Sequence, residues 1–233
     1  MNHRIVSREE WLAARKQLML KEKEFTHARE SLSRERRELP WVRVDKPYVF
    51  QGAEGAVTLS ELFQGRSQLV VYHFMFAPEW ETACKSCSFW ADSFNGIVPH
   101  LAQRDVSFVA ISRAPFAKLQ EFERRMGWSF RWVSSGGTDF NFDYFVSFTP
   151  EELAAQRSTY NYGPNGLSKS DLPGISAFYK DERGDVFHTY SCYARGIDMM
   201  NTAYQYLDLT PKGRDEQALP YPMAWVKLHD EYR

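Results

Sequence analysis

The chain has 233 residues, of which 43% are hydrophobic, 15% aromatic and 25% charged, with a net charge of −1. That length suits one large domain or one domain with appendages, and the make-up is that of a soluble globular protein. Near-neutral charge argues against nucleic acid or a membrane surface as the main partner, no run approaches ~18 apolar residues, and three cysteines cannot build a disulfide scaffold.

Met1-Asn2-His3-Arg4 leads into a charged segment without the apolar stretch of a signal peptide, so a cytoplasmic location is expected. Residues 7 to about 38 read as one long helix. Ser7 and Glu10 form a capping box, and Trp11, Leu18, Phe25 and Leu32 recur every seven residues. That stripe is too thin for a core helix, so residues 1–39 are expected to form an arm, lying on its own domain or joining a homodimer. Pro40 ends the arm. Trp41 to Phe50 reads as a strand, residues 51–55 as a turn, Val57 to Leu59 as a second strand, and Ser60 to Phe63 as a helical turn.

Leu69 to Phe76 is a continuous apolar run and reads as a buried strand. Cys84-Lys85-Ser86-Cys87 follows, opening a helix expected to run from Ser88 to about Gln103. A further buried strand spans Val106 to Ile111. Pro115 starts a helix that Gly127 stops beyond Met126, and Trp128 to Val133 is a short strand. Strands alternating with helices at this spacing predict βαβ units and a partly parallel central sheet. Periodicity fails between Ser134 and Pro173, apart from one helix over Pro150 to Gln156, which marks a functional insertion. A hairpin over 175–191, a helix from Ile197 to Leu207 and a tail over 208–233 complete the chain.

The CxxC carries the chemistry. A thiolate at a helix start faces unpaired backbone N–H groups and the positive end of the dipole, which lowers its pKa; Lys85 pushes the same way, and Glu79 or Glu81 would oppose. Cys84 is then the attacking thiol and Cys87, one turn on and more buried, the resolving one. A zinc or iron site would share both cysteines and needs two more ligands; Cys192 and His188 are the candidates, with His188, Tyr190 and Cys192 placed on one strand face by alternation. His73 is a possible base for Cys84, and Trp80 is expected to line the site. Asp139 to Asp143 opens like a calcium loop but has Tyr144 and Pro150 where Gly and Glu belong, which excludes that motif. No cofactor is called for.

The order of elements, with strings such as Val71-Tyr72-His73-Phe74-Met75-Phe76, Ala83-Cys84-Lys85-Ser86-Cys87-Ser88-Phe89-Trp90-Ala91-Asp92, Ile111-Ser112-Arg113-Ala114-Pro115 and Leu207-Asp208-Leu209-Thr210-Pro211-Lys212-Gly213-Arg214, resembles the bacterial "domain of unknown function 899" family of dithiol-disulfide oxidoreductases. The resemblance implies an α/β, thioredoxin-like three-layer sandwich over residues 40–233. Its parts would be a central mixed sheet, a peroxiredoxin-style N-terminal hairpin, the long helix before it, and an insertion over 134–173 before the C-terminal hairpin. It also implies a thiol-disulfide oxidoreductase working on a disulfide or peroxide with a thiol reductant. Pro173, just before the strand facing the dithiol, would be the cis-proline landmark and a substrate contact. Ala83 stands where thioredoxins have Trp. Pro78 and Thr82 match the peroxiredoxin spacing, but Cys84 falls one residue early, so a peroxide site needs another backbone path. The alternatives are a thiol peroxidase in which Cys84 becomes a sulfenic acid, and a non-catalytic binding protein whose cysteines pack or hold metal.

Overall fold

The computed structural model describes residues 3–232 and divides at Pro40 into a helical arm and the body from Trp41 onward. The arm is α1 (Arg8–Glu38), and it starts as its capping box dictates. Ser7 Oγ accepts from the Glu10 amide at 3.2 Å, and the Glu10 carboxylate accepts from the Ser7 amide at 3.0 Å.

The body begins with β1 (Val42–Arg43), β2 (Val49–Gly52) and β3 (Gly55–Thr58), a 3₁₀ turn over Glu61–Phe63, and β4 (Gln68–His73). Next come α2 (Lys85–Ala91), α3 (Phe94–Ala102), β5 (Val106–Ser112), α4 (Phe116–Met126) and β6 (Trp132–Ser134). The insertion holds α5 (Phe140–Asp143), α6 (Pro150–Ala154) and a small ribbon of β7 (Thr159–Tyr160) and β8 (Gly163–Pro164). β9 (Gly174–Lys180), β10 (Val186–Tyr193), a 3₁₀ segment over Ala194–Met200 and α7 (Thr202–Leu207) follow.

Eight strands form one mixed sheet in the order β1-β10-β9-β4-β5-β6-β2-β3. β4 lies parallel to β5 and antiparallel to β9, and β5 lies parallel to β6. The block β5-β4-β9-β10 is the thioredoxin-like arrangement, which the hairpin β2–β3 extends beyond β6. One face carries Tyr72, Phe108 and Ala110 under α2, α3, α4 and the segment after β10. The other carries Leu69, Val71, Val109 and Ile111 against residues 48–63 and α5. A sheet between two covering layers is the predicted three-layer sandwich.

Several boundaries differ from the sequence pattern. The single strand expected over 41–50 is two strands on opposite sides of the sheet. Val42 pairs with His188 at one edge, whereas Gln51 pairs with Ser134 near the other. Asp45-Lys46-Pro47 makes the crossing, because Pro47 has no N–H for a ladder and Lys46 is held by Asp139 and Asp143 at 2.6 and 2.8 Å. The same ion pairs account for the acidic string that mimicked a calcium loop. The long helix after the CxxC breaks into α2 and α3 at Asp92-Ser93. There the Asp92 carboxylate accepts from Trp128 Nε1 at 2.9 Å and lies 2.7 Å from His229 Nδ1. The strand expected from Trp128 shrinks to β6, since Asn95 Oδ1 takes the Ser129 and Phe130 amides at 2.8 and 3.2 Å. The helix expected over 197–207 is divided by Asn201, whose side chain caps α7 through the Tyr204 amide. α4 stops where predicted, with Gly127 at φ 63° in the left-handed region.

Gly174 opens β9 between His73 and Tyr193. A Cβ there would lie 2.6 Å from the Tyr193 ring and 3.2 Å from Val146 Cγ1. The ring cannot yield, because Tyr193 is buried and its hydroxyl donates to the Tyr144 carbonyl at 2.9 Å. Gly174→Ala is therefore expected to cost about 1–3 kcal/mol in urea unfolding, the range for overpacking a closed core. An unchanged midpoint would show that Tyr193 is free to move.

Candidate active site around Cys84 and Cys87

The carboxyl ends of parallel strands carry the exposed loops of an open α/β sheet, and the dithiol sits at the end of β4. Residues 74–84 continue from β4 and fold back, with the Cys84 amide donating to the Met75 carbonyl at 3.1 Å. Cys84 is the N-cap of α2, with extended backbone at φ −62° and ψ 119°, and its carbonyl accepts from the Ser88 amide and hydroxyl, both at 3.0 Å. None of the three cysteines is in a disulfide.

The two thiols are unequal. Cys84 is partly exposed, and Cys87 is buried at 1%. The Cys87 S–H donates to the Cys84 sulfur, and the backbone N–H groups of Cys87 and Ser86 donate to it as well. Together they pull the Cys84 thiol down to about 6, burial opposing them and the Lys169 charge assisting. Burial, followed by the proximity of Cys84, pushes the Cys87 thiol well up, with the Met75 amide and the Tyr72 hydroxyl acting the other way. Two expectations change here. α2 is too short to supply the dipole of the long helix expected, so the lowering comes from local donors. The assisting cation is Lys169, in the insertion, while Lys85 donates to the Ala224 carbonyl at 3.3 Å in the tail.

Trp80 is half-buried against the helix-side core, as Cys84 is, with its carbonyl accepting from Lys118 at 2.9 Å. It does not line the cavity beside Cys87, whereas Pro173 does. Every described peptide bond is trans, that before Pro173 included, so the cis-proline landmark is absent. The Pro173 carbonyl instead accepts from the Tyr160 hydroxyl at 2.6 Å, and Tyr160 OH in turn accepts from the Ala194 amide at 2.9 Å. One tyrosine of the insertion thus ties together the two segments facing the dithiol. Glu79 accepts from Ser170 Oγ at 3.1 Å, and Thr82 is exposed.

His73 is on the wrong face to serve Cys84. Adjacent strand residues point to opposite faces, so Tyr72 meets the dithiol while His73 packs against Phe140 and Tyr144 across the sheet. Its Nε2 lies 2.8 Å from Ser176 Oγ, which is 2.7 Å from Ser191 Oγ, itself 2.7 Å from His188 Nε2. Burial holds the His73 imidazole down to about 3. The proposed metal set fails for a related reason. A bulge between His188 and Tyr190 shifts the register, leaving His188 against Phe178 on one face and Cys192 in the core of the other. Among the described residues no cluster of three or more His, Cys, Asp or Glu is placed to hold a metal.

Tyr72 and Lys169 escaped the sequence reading. The Tyr72 hydroxyl is fully buried, lies alongside the Cys87 sulfur and forms no hydrogen bond of ordinary geometry. Its position two strand residues before Phe74, on the same face as the CxxC helix, was the available signal. For Lys169 there was none, because the insertion has no periodicity that would place it.

Fold and dithiol position describe a thioredoxin-like α/β protein. The chain belongs to the family described as "Bacterial protein of unknown function (DUF899)", whose model matches residues 1–232. No curated protein matches it. Among solved structures it is similar to the peroxidoxin BcpB from Mycobacterium tuberculosis, at 16% identity and TM-score 0.43 over 72% of this chain and 97% of that one. It is also similar to the bacterioferritin comigratory protein from Xanthomonas campestris, described for alkyl peroxide reduction, at 18% identity and TM-score 0.42 over 68% and 87%. The mitochondrial 2-Cys peroxiredoxin from Plasmodium falciparum aligns at 12% identity and TM-score 0.42 over 72% and 92%. Likeness of this degree says nothing about activity. No described helix is long and apolar enough to cross a membrane.

Alkylation of the reduced protein by iodoacetamide should follow a titration near pH 6 at Cys84 and leave Cys87 unmodified. Replacing Cys87 by Ala removes the largest stabilising donor and should move that titration up toward the ordinary thiol value of about 8.5. A lowered thiol favours the folded state where it is ionised, so the reduced protein should gain stability as pH rises from about 6 to about 8.5. A Cys84 titration at the ordinary value in the wild type would refute this account.

Proposed function

We propose that the protein is a dithiol-disulfide oxidoreductase. The observation that carries the reading is the asymmetry of the pair: a partly exposed, acidified Cys84 in hydrogen-bonded contact with a buried, high-pKa Cys87. The Cys84 thiolate attacks one sulfur of a substrate R–S–S–R′, forming Cys84–S–S–R and releasing R′S⁻. Cys87 then loses its proton, attacks the Cys84 sulfur and expels RS⁻, which takes that proton. Two electrons pass to the substrate, and the Cys84–Cys87 disulfide is returned to the dithiol by a low-molecular-weight or protein thiol reductant.

The second step needs a thiolate at the buried Cys87. The Met75 amide and the Tyr72 hydroxyl, both disposed to donate to that sulfur, support it in this role. Tyr72 is thereby drawn into catalysis, and its lack of another partner leaves the hydroxyl available when Cys87 ionises.

Cys84→Ser should abolish reduction of a model disulfide, and full activity in that variant would sink the mechanism. Faster consumption of hydrogen peroxide than of disulfides by the reduced wild type would assign a thiol peroxidase instead. Tyr72→Phe should slow resolution of a preformed mixed disulfide on Cys84 about tenfold, the worth of one donor to a charged group. An attacking thiol near 6 lies between those of thioredoxin and DsbA, so the couple should have a potential between about −270 and −120 mV. Equilibration with glutathione measures it.

A further inference from the structure

Cys87 is closed to the outer surface, at 1% exposed, but not sealed. It forms part of the wall of a cavity of about 240 Å³ together with Tyr72, Met75, Trp90, Ile197 and Met223, and Cys84 does not. The Tyr72 hydroxyl and the Met75 amide both meet the Cys87 sulfur, which thus has Cys84 on its outer side and the cavity behind it. We infer that the cavity admits a small apolar monothiol, which reopens the Cys84–Cys87 disulfide by attacking Cys87 and expelling Cys84. The inference rests on the dithiol reading above and adds to it the class of the reductant and the sulfur that it strikes.

Direction, leaving group and size support it. A thiolate attacks a disulfide in line with the S–S bond, so a nucleophile that strikes Cys87 must come from the side away from Cys84. That side is the cavity. From outside, only Cys84 is within reach, and attack there expels Cys87, whose thiol is pushed well up by burial. Attack from the cavity expels Cys84 instead. The Cys87 S–H and the backbone N–H groups of Cys87 and Ser86 hold that thiol down to about 6, and the two backbone donors remain when Cys87 is in the disulfide. The thiol of lower pKa leaves faster. The Tyr72 hydroxyl, fully buried and without a hydrogen bond of ordinary geometry, can donate to the incoming sulfur.

A dry apolar cavity of about 150 Å³ holds benzene, whereas drug-sized ligands need roughly 300 Å³ or more, so the space here fits a thiol of benzyl size and excludes a charged tripeptide. The charged groups at its rim are already engaged. Asp198 takes Arg214 at 2.8 Å and Arg195 at 3.2 Å. Glu216 accepts from Tyr204 OH at 2.5 Å, Trp225 Nε1 at 2.7 Å and the Met223 amide at 2.9 Å. A charged thiol would have to displace these partners, and an apolar one would not.

The thiol gives up its proton to water at the outer edge of the cavity. RS⁻ attacks the Cys87 sulfur and forms Cys87–S–S–R, while the bond to Cys84 breaks and its electron pair leaves with the Cys84 thiolate. A second RS⁻ attacks the sulfur that carries R, giving RSSR and a Cys87 thiolate, which takes a proton. Two thiols supply the two electrons, and no other reductant enters. Substrate and reductant then use opposite sides of the pair.

The full-length wild type, oxidised with diamide, tests this. Brief reaction with benzyl mercaptan, quenched into excess N-ethylmaleimide and mapped by mass spectrometry, should place the benzylthio group on Cys87 and the maleimide on Cys84. Glutathione should give the opposite isomer. Benzyl mercaptan should also reduce the pair about tenfold or more faster than 2-mercaptoethanesulfonate, after division by the same ratio for bis(2-hydroxyethyl) disulfide. Met223→Trp fills the cavity and should slow benzyl mercaptan while leaving the sulfonate thiol unchanged, with Met223→Leu restoring the rate. A benzylthio group found on Cys84, a normalised ratio near one, or a Met223→Trp variant with both rates unchanged would overturn the proposal and leave the dithiol mechanism standing. Diamide treatment that yields no Cys84–Cys87 disulfide would refute that mechanism and this inference with it.

Discussion

Strand β4 is hydrogen-bonded along both edges, to β5 in parallel and to β9 in antiparallel, and it is buried on both faces. Its pleat therefore sorts its neighbours without ambiguity. Tyr72 must point to the helix side and His73 to the other, because a one-residue slip would exchange the two cores. That constraint sets the Tyr72 hydroxyl beside Cys87, removes His73 from any part in the thiol chemistry, and aims the loop carrying Cys84 at the carboxyl end of the sheet.

The electrostatics of the dithiol follow from local donors acting within one turn. Cys84 gathers two backbone N–H groups and the S–H of its partner, and Cys87 is left protonated in the core. The same hydrogen bond thus lowers one thiol and raises the other. Regions far away in sequence complete the surroundings. The insertion supplies Lys169 and Tyr160, the tail engages Lys85 through Ala224, and Glu216 fastens Tyr204, Met223 and Trp225 beside the cavity. This explains why an irregular stretch and a proline-rich tail, neither with a periodic pattern, both have fixed positions around the pair.

Much of the architecture was legible because it is local. The capping box at Ser7, the apolar run at β4, the Gly127 stop and the hairpin at 51–55 each rest on residues within a turn of one another. The misreadings have long-range causes. Residues 41–50 looked like one strand, yet Lys46 is drawn across the sheet by Asp139 and Asp143. The helix after Cys87 breaks because Asp92 is held by Trp128 and lies against His229. The His188–Cys192 face failed through a bulge, which strict alternation cannot anticipate. Trp80 was plausible from its place in the loop, but its position against the core leaves it outside the cavity that Pro173 lines.

By itself the sequence determined the element order, the strand that leads into Cys84-Lys85-Ser86-Cys87, and the pairing of two thiols one helical turn apart. These depend on spacing, capping and apolar pattern, which short segments contain in full. Only the tertiary structure decided which groups meet the thiols. Tyr72, Lys169 and Pro173 come from three separate segments, and sheet register with buried hydrogen bonds, rather than sequence distance, brings them to one place. It also decided that Pro173 is trans and that a cavity opens behind Cys87, since both follow from how the insertion, the segment after β10 and the tail pack against the sheet.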